Sequence, residues 1–295
     1  MTPIFIISLP RSGSTLLQRI LMTSASIRSV SEPWVALPLA YMLKEDGVET
    51  EYGHQTWVQA ANQLGRDNVL NCARAGLDNI YSNLAEGRRY FLDKTPRYTL
   101  ILKELFEIYP DAKYIFLLRD PADIVASSIL SFRNNSLRRV DHLDMDHILS
   151  PGLIAEYIKE QSIDSICIKY EELVGYPSSV VNELHEFLEI CDIDIDKGVN
   201  ITLDGLGDHK QRLTNKIEKK KSVGVFCSNR VRSWWLRKIL SEHYRSYMDQ
   251  GGYQLENIAP KHKEWYPIGL ADLYMIKTSD LMRYIKKLLG VGGKY

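Results

Sequence analysis

The chain has 295 residues, 45% of them hydrophobic and 25% charged, with Lys plus Arg and Asp plus Glu balanced at 37 each. That is enough apolar material for one large folded domain or two modest ones, and it excludes a disordered chain. The zero formal net charge argues against a general nucleic-acid binder, so an anion site must be a local concentration of basic groups.

In chain order, Pro3 to Leu9 is a short apolar run that reads as a buried strand. Pro10 to Gly13 forms a sharp turn, and Leu16, Leu17, Ile20 and Leu21 then recur at helical spacing. N–H groups at the start of such a helix lack intrahelical acceptors and sit at the positive end of the helix dipole, which suits a phosphate or sulfate. Gly13 lets the backbone approach an oxyanion, the hydroxyls of Ser12, Ser14 and Thr15 can donate to it, and Arg11 adds a multidentate charge. Taken alone, the pattern also fits an ordinary capped helix with a surface arginine.

Ile27 to Ser31 reads as an extended segment ended by Glu32-Pro33, because the residue before a proline is pushed toward extended conformations. Helices are expected over Trp34 to Leu43, Thr56 to Leu64 and Asn68 to Leu84, together a helical insertion of about 34–86 over the sheet. Arg89 to Asp93 is the next strand, Lys94 to Arg97 a turn, and Tyr98 to Tyr109 an amphipathic helix. Lys113 to Leu118 is apolar enough for a central parallel strand, followed by Arg119-Asp120-Pro121 and a helix over Ala122 to Phe132. The same arrangement recurs with a strand at Asp164 to Lys169, the motif Tyr170 to Leu173, and a helix over Pro177 to Leu188.

Alternating strands and helices imply right-handed crossovers, a parallel sheet flanked by helices, and ligands beyond the carboxyl ends of the strands. Beyond Gly205 the pattern loosens into a basic loop, the charged run Lys216 to Lys221, and a helix over Arg232 to Met248. Residues 1–255 are expected to form one domain, with 256–295 as an extension packing on it. The cysteines, Cys72, Cys167, Cys191 and Cys227, have no metal-ligand spacing and read as buried free thiols. With no basic leader and no long apolar stretch, the expected setting is cytoplasmic, without an integral membrane segment.

Three stretches carry a resemblance. Leu9 to Leu17 is similar to the 5′-phosphosulfate loop of sulfotransferases that use 3′-phosphoadenosine 5′-phosphosulfate (PAPS). Phe116 to Ser127 resembles their 3′-phosphate motif, and Tyr170 to Val174 with the following helix is a third match in the same order. The resemblance covers about Pro3 to Leu188 and implies a three-layer, P-loop-like α/β fold. It also implies PAPS as co-substrate, held by Arg11, Ser12, Gly13, Ser14, Thr15, Arg119, Ser127 and Tyr170, and no metal. Glu32 falls where the tyrosylprotein branch places its catalytic Glu, and Arg11 stands where the cytosolic, His-base branch has Lys. The chain thus resembles the tyrosylprotein and carbohydrate branches more than the cytosolic one.

The resemblance implies Glu32 as general base, with Lys94 and Arg11 stabilising charge on the transferring group. A helix cap for Glu32, or a surface ion pair for Lys94, is the plainer alternative. Pro33 and Trp34 replace the Thr and Arg that engage an acidic peptide in the tyrosylprotein branch, which shifts the expected acceptor to a carbohydrate or small-molecule alcohol. Trp34, Tyr41, Trp57 and Tyr98 are candidate stacking surfaces for it, Arg97 falls on the acceptor side, and His54 and His142 stand next as bases. Two rival readings are a P-loop nucleotide-dependent kinase, whose two-glycine, lysine-bearing loop is absent here, and a non-catalytic nucleotide-binding protein.

Overall fold

The computed structural model describes residues 1–131, 145–160, 163–198, 200–201, 222–223, 230–255 and 258. The chain divides into two compact units, Met1–Arg119 with Glu156–Lys219, and Asp120–Ala155 with Lys220–Tyr295.

The first unit holds a five-stranded sheet: β1 (Thr2–Ser8), β2 (Ile27–Ser29), β3 (Tyr90–Asp93), β4 (Lys113–Leu118) and β5 (Ser165–Lys169). Its order is β2-β3-β1-β4-β5, and all four strand pairs are parallel. The chain starts in the middle of the sheet and builds outward to both sides, so the order reverses at β1, where open parallel sheets place their ligands. This is the P-loop-like arrangement that the resemblance implied.

Side-chain alternation gives the two faces of the sheet different chemistry. One face is mainly aliphatic: Ile4, Ile6, Leu92, Ile115, Leu117 and Ile168 pack with Leu17 and Ile20 of α1 (Ser14–Leu21), Leu173 of α8 (Tyr170–Gly175), and Leu184 and Leu188 of α9 (Pro177–Leu188). The other face is aromatic. Phe5 is the register partner of both Asp93 and Tyr114, and its ring lies 5.4 Å from Tyr114, 5.8 Å from Tyr109 and 6.2 Å from Tyr81. Buried tyrosines need hydroxyl partners, so this face carries polar groups that the aliphatic one does not.

The insertion between β2 and β3 is helical as expected, with α2 (Ala36–Ala40), α3 (His54–Leu64) and α4 (Arg66–Ala85). The first of these is shorter than the Trp34 to Leu43 expectation, because Trp34 has a left-handed φ of 61° and does not join the helix. The expected helix over Tyr98 to Tyr109 is split into a 3₁₀ turn (Pro96–Ile101) and α5 (Leu102–Ile108), the break falling at Ile101, where φ is −129° and ψ 23°. Tyr170 to Leu173 forms part of a short helix, α8. The described cysteines, Cys72, Cys167 and Cys191, are free as expected but exposed; Cys167 lies on the edge strand β5, whose pairing leaves one side open.

A short helix, α10 (Ile195–Gly198), closes the described part of the first unit before Ile201. The second unit contains α6 (Pro121–Ser131), a π-helical turn (Met145–Leu149), most of α7 (Ser150–Tyr157), α11 (Arg230–His243) and α12 (Arg245–Gly251). The single helix expected over Arg232 to Met248 is broken at Tyr244, where φ is −114° and ψ 4°; its hydroxyl is 2.6 Å from His147 Nδ1. The 205–221 loop, Cys227, His142 and, apart from Ile258, the extension 256–295 fall outside the described residues.

Candidate active site

In the sheet's spatial order, the carboxyl ends of the strands carry Glu32 after β2, Lys94 after β3, Arg11–Thr15 after β1, Arg119 after β4 and Tyr170 after β5. Every one of these follows the end of its own strand, so one edge of the sheet collects residues far apart in the chain.

The loop after β1 is shaped by close approach. Gly13 has φ 95°, and a Cβ there would run into the Tyr170 ring. Arg11 also takes a left-handed φ, 73°, a conformation non-glycine residues hold only where surroundings impose it. The guanidinium of Arg119 helps impose it: Nη1 donates to the Arg11 carbonyl at 2.9 Å, and Cζ lies 4.4 Å from the centre of the Tyr170 ring. The helix that follows has no side-chain cap and no acid in its first turn, which leaves its positive end for an anion. Among the described residues Ser8 Oγ and Ser12 Oγ are buried with no hydrogen-bond partner, polar atoms a bound oxyanion would suit.

At the other end, Lys94 Nζ meets Glu32 Oε1 at 2.8 Å; the Lys94 side chain is 2% exposed and that of Glu32 15%. The segment leading to Glu32 is held by a buried glutamine on α1. Gln18 Nε2 donates to Ser29 Oγ, Val30 O and Ser31 O at 2.7 to 3.1 Å. Ser29 Oγ in turn donates to Leu92 O on β3 at 2.6 Å.

Beside Lys94 lies a carboxylate that the sequence reading did not single out. Asp93 is fully buried and accepts from Tyr81 Oη at 2.7 Å, Tyr98 Oη at 2.8 Å and Thr95 Oγ1 at 2.9 Å. Burial pushes its pKa up to about 6, against the pull of those three donors and of Lys94. Tyr98 Oη also receives Ala36 N at 3.1 Å, and Thr95 Oγ1 receives Trp34 N at 3.4 Å. A sequence signal existed: Asp93 shares a strand face with Phe91, so period-two alternation puts a carboxylate on an apolar surface.

Ser127 lies on α6 in the second unit. Tyr98 is fully buried, which removes it from any acceptor surface. Trp57 donates its indole N–H to Met42 O at 2.9 Å, whereas Trp34 and Tyr41 are exposed, Trp34 at 42%. The His54 ring is buried, with Nε2 2.8 Å from Lys44 O.

Fold and edge together define a P-loop-like α/β protein with a tight glycine-bearing turn between its first strand and first helix. The chain belongs to the Sulfotransferase family, whose model matches residues 3–194. It is 38% identical over 125 residues to the nodulation protein NoeE of Sinorhizobium fredii, a match covering 42% of this chain and 30% of that protein. It is 28% identical over 198 residues to protein-tyrosine sulfotransferase A of Caenorhabditis elegans, covering 63% of this chain and 50% of that protein. The chain therefore spans half or less of the length of these relatives. Among solved structures, the sulfotransferase of Alicyclobacillus acidocaldarius matches with a TM-score of 0.50 at 15% identity, over 88% of this chain and 98% of that one; this likeness concerns the fold.

Proposed function

We propose that the protein is a PAPS-dependent sulfotransferase that moves a sulfuryl group to the hydroxyl of a carbohydrate or small-molecule acceptor, with Glu32 as general base. The observation that carries this reading is the buried Glu32–Lys94 pair at 2.8 Å, on the same sheet edge as the anion loop after β1. A surface ion pair or a helix cap has no need of a nearly inaccessible lysine, whose burial has to be offset by its partner.

PAPS supplies an activated sulfuryl group. In this reading the N–H groups and hydroxyls of Arg11 to Thr15 hold its 5′-phosphosulfate end. Arg119 and Tyr170 belong to the 3′-phosphate end. Glu32 takes the acceptor's hydroxyl proton as the new S–O bond forms. Lys94 and Arg11 balance the charge on the 5′-phosphate oxygen as its bond to sulfur breaks. No step needs a metal.

The tyrosine-directed relative acts on a hydroxyl, by its name, which supports a hydroxyl acceptor here. Pro33 and Trp34 turn the reading away from an acidic peptide, and the exposed Trp34 indole offers a flat apolar surface beside the base. The three cysteines among the described residues are free thiols, which suits a reducing, cytoplasmic setting. Among the described residues no helix is long and apolar enough to cross a membrane.

Calorimetric titration with 3′-phosphoadenosine 5′-phosphate tests the assignment. Binding with one site per chain is expected, and a folded sample that does not bind would overturn it. Screening carbohydrate, phenol and aliphatic alcohol acceptors with labelled PAPS then identifies the acceptor class.

A further inference from the structure

Asp93 is a fully buried acid that the chemistry above leaves without a task. Its three donors come from two directions: Tyr81 from α4, and Thr95 and Tyr98 from the 3₁₀ turn and its approach. An ionised carboxylate only accepts, so each hydroxyl must turn its proton inward to Asp93. With its proton committed, a hydroxyl presents only lone pairs to its other neighbour. For Thr95 that neighbour is the Trp34 N–H and for Tyr98 the Ala36 N–H, the backbone directly after Glu32-Pro33.

We propose that Asp93 is a positioning residue for the Glu32–Lys94 pair: by fixing the proton direction of Thr95 and Tyr98 it docks the Trp34–Ala36 backbone onto the end of β3, and so holds Glu32 against Lys94. The inference rests on the sulfotransferase reading above. The left-handed Trp34 (φ 61°) fits it, since a strained residue persists only where neighbours over-determine it. Neutral groups cannot substitute. A protonated Asp93 becomes a donor at one oxygen and releases one hydroxyl, and an asparagine amide replaces an acceptor by a donor.

The charge state is open to test because Asp93 sits near pH 6, pushed up by burial and drawn down by Tyr81, Tyr98, Thr95 and Lys94. These are the titratable and hydrogen-bonding groups facing it from α4, the 3₁₀ turn and β3; β1 contributes the apolar Phe5. Removing the Tyr81 hydroxyl takes away one donor and raises Asp93 further.

The experiment follows release of labelled sulfate from PAPS with water in place of the acceptor, measuring kcat and the KM for PAPS from pH 5 to 8. Y81F is expected to keep KM within about twofold and to move the acid limb of kcat to higher pH. D93N is expected to lower kcat at least about tenfold at pH 7.5, and to speed amide exchange of Trp34 and Ala36 by a similar factor. Lower thermal stability with an unmoved limb and unchanged kcat would make Asp93 a structural residue only and overturn the proposal. Should D93N fail to fold, Y81F carries the test through its pH limb. If the native protein neither binds 3′-phosphoadenosine 5′-phosphate nor releases sulfate, it is the sulfotransferase reading that fails. Amide exchange at Trp34 and Ala36 in Y81F and native protein below pH 6 then decides the docking role: faster exchange supports it, and unchanged exchange overturns it.

Discussion

At the β1–β4–β5 end of the carboxyl edge the proposed anion site is made of backbone: a left-handed Arg11, a glycine flush against Tyr170, and Arg119 bracing a carbonyl. At the β2–β3 end the corresponding material is side chains: Glu32 on Lys94, Asp93 under two tyrosines and a threonine, and Gln18 gripping three oxygens of the 29–31 segment. The difference fits the task proposed for each end. Holding an oxyanion needs N–H groups in a fixed curve, which a short loop and a helix start supply. Moving a proton needs a titratable group held in place, which takes a network of side chains.

If the two ends are separable, their variants should fail separately. The largest effect is expected from E32Q, which keeps a hydrogen-bond acceptor for Lys94 but no base. Turnover should fall by about 10²- to 10⁴-fold, with affinity for 3′-phosphoadenosine 5′-phosphate within twofold by calorimetry; normal turnover would place the base elsewhere. G13A tests the opposite end. Its Cβ collides with Tyr170 at a φ of 95°, and affinity should drop by about 100-fold or more; native-like binding would mean that the loop is not the anion holder.

A third effect sets the Asp93 end apart by pH. Because the Asp93 pKa is raised by burial from 3.8 to about 6, the native state holds more protons than the unfolded chain between those values. Stability from this group therefore increases as pH falls from about 6 toward 4, and is lost as pH rises through 6. The difference in urea unfolding free energy between native protein and D93N should change by up to roughly 3 kcal/mol across that window. A constant difference would show that the carboxylate does not titrate there. The smallest effect is expected from Q18L, which removes the Gln18 N–H groups from Ser29 Oγ, Val30 O and Ser31 O and should cost about 1–3 kcal/mol in urea unfolding, with turnover reduced and binding of 3′-phosphoadenosine 5′-phosphate retained. Equal losses of both would join the two ends into one unit.

The strands and most helices were legible because their signals are local: apolar runs for β1 and β4, charged or proline-bearing turns after them, and helical spacing over α1, α4 and α9. Misreadings occurred where one residue overrides a local pattern. Trp34 at positive φ keeps α2 short, Ile101 divides a helix, and Tyr244 breaks the long C-terminal one. For the candidate site, Glu32 and Lys94 were each visible beside a proline-bearing turn, but Asp93, Tyr81 and Gln18 were not. Read in isolation, an aspartate before a lysine is a surface pair, a helix tyrosine is core, and a helix glutamine is solvated.

By itself the sequence determined the succession of strand, tight turn and helix, and the kind of polar group that follows each strand, since these depend on neighbouring residues. Only the tertiary structure decided that β3 lies between β1 and β2, and with it that Lys94 meets Glu32 across 62 positions of chain. Strand order is a non-local choice, made by which faces bury together. The same choice set Asp93 against Phe5 on the aromatic face, where burial turns an ordinary carboxylate into one poised near pH 6.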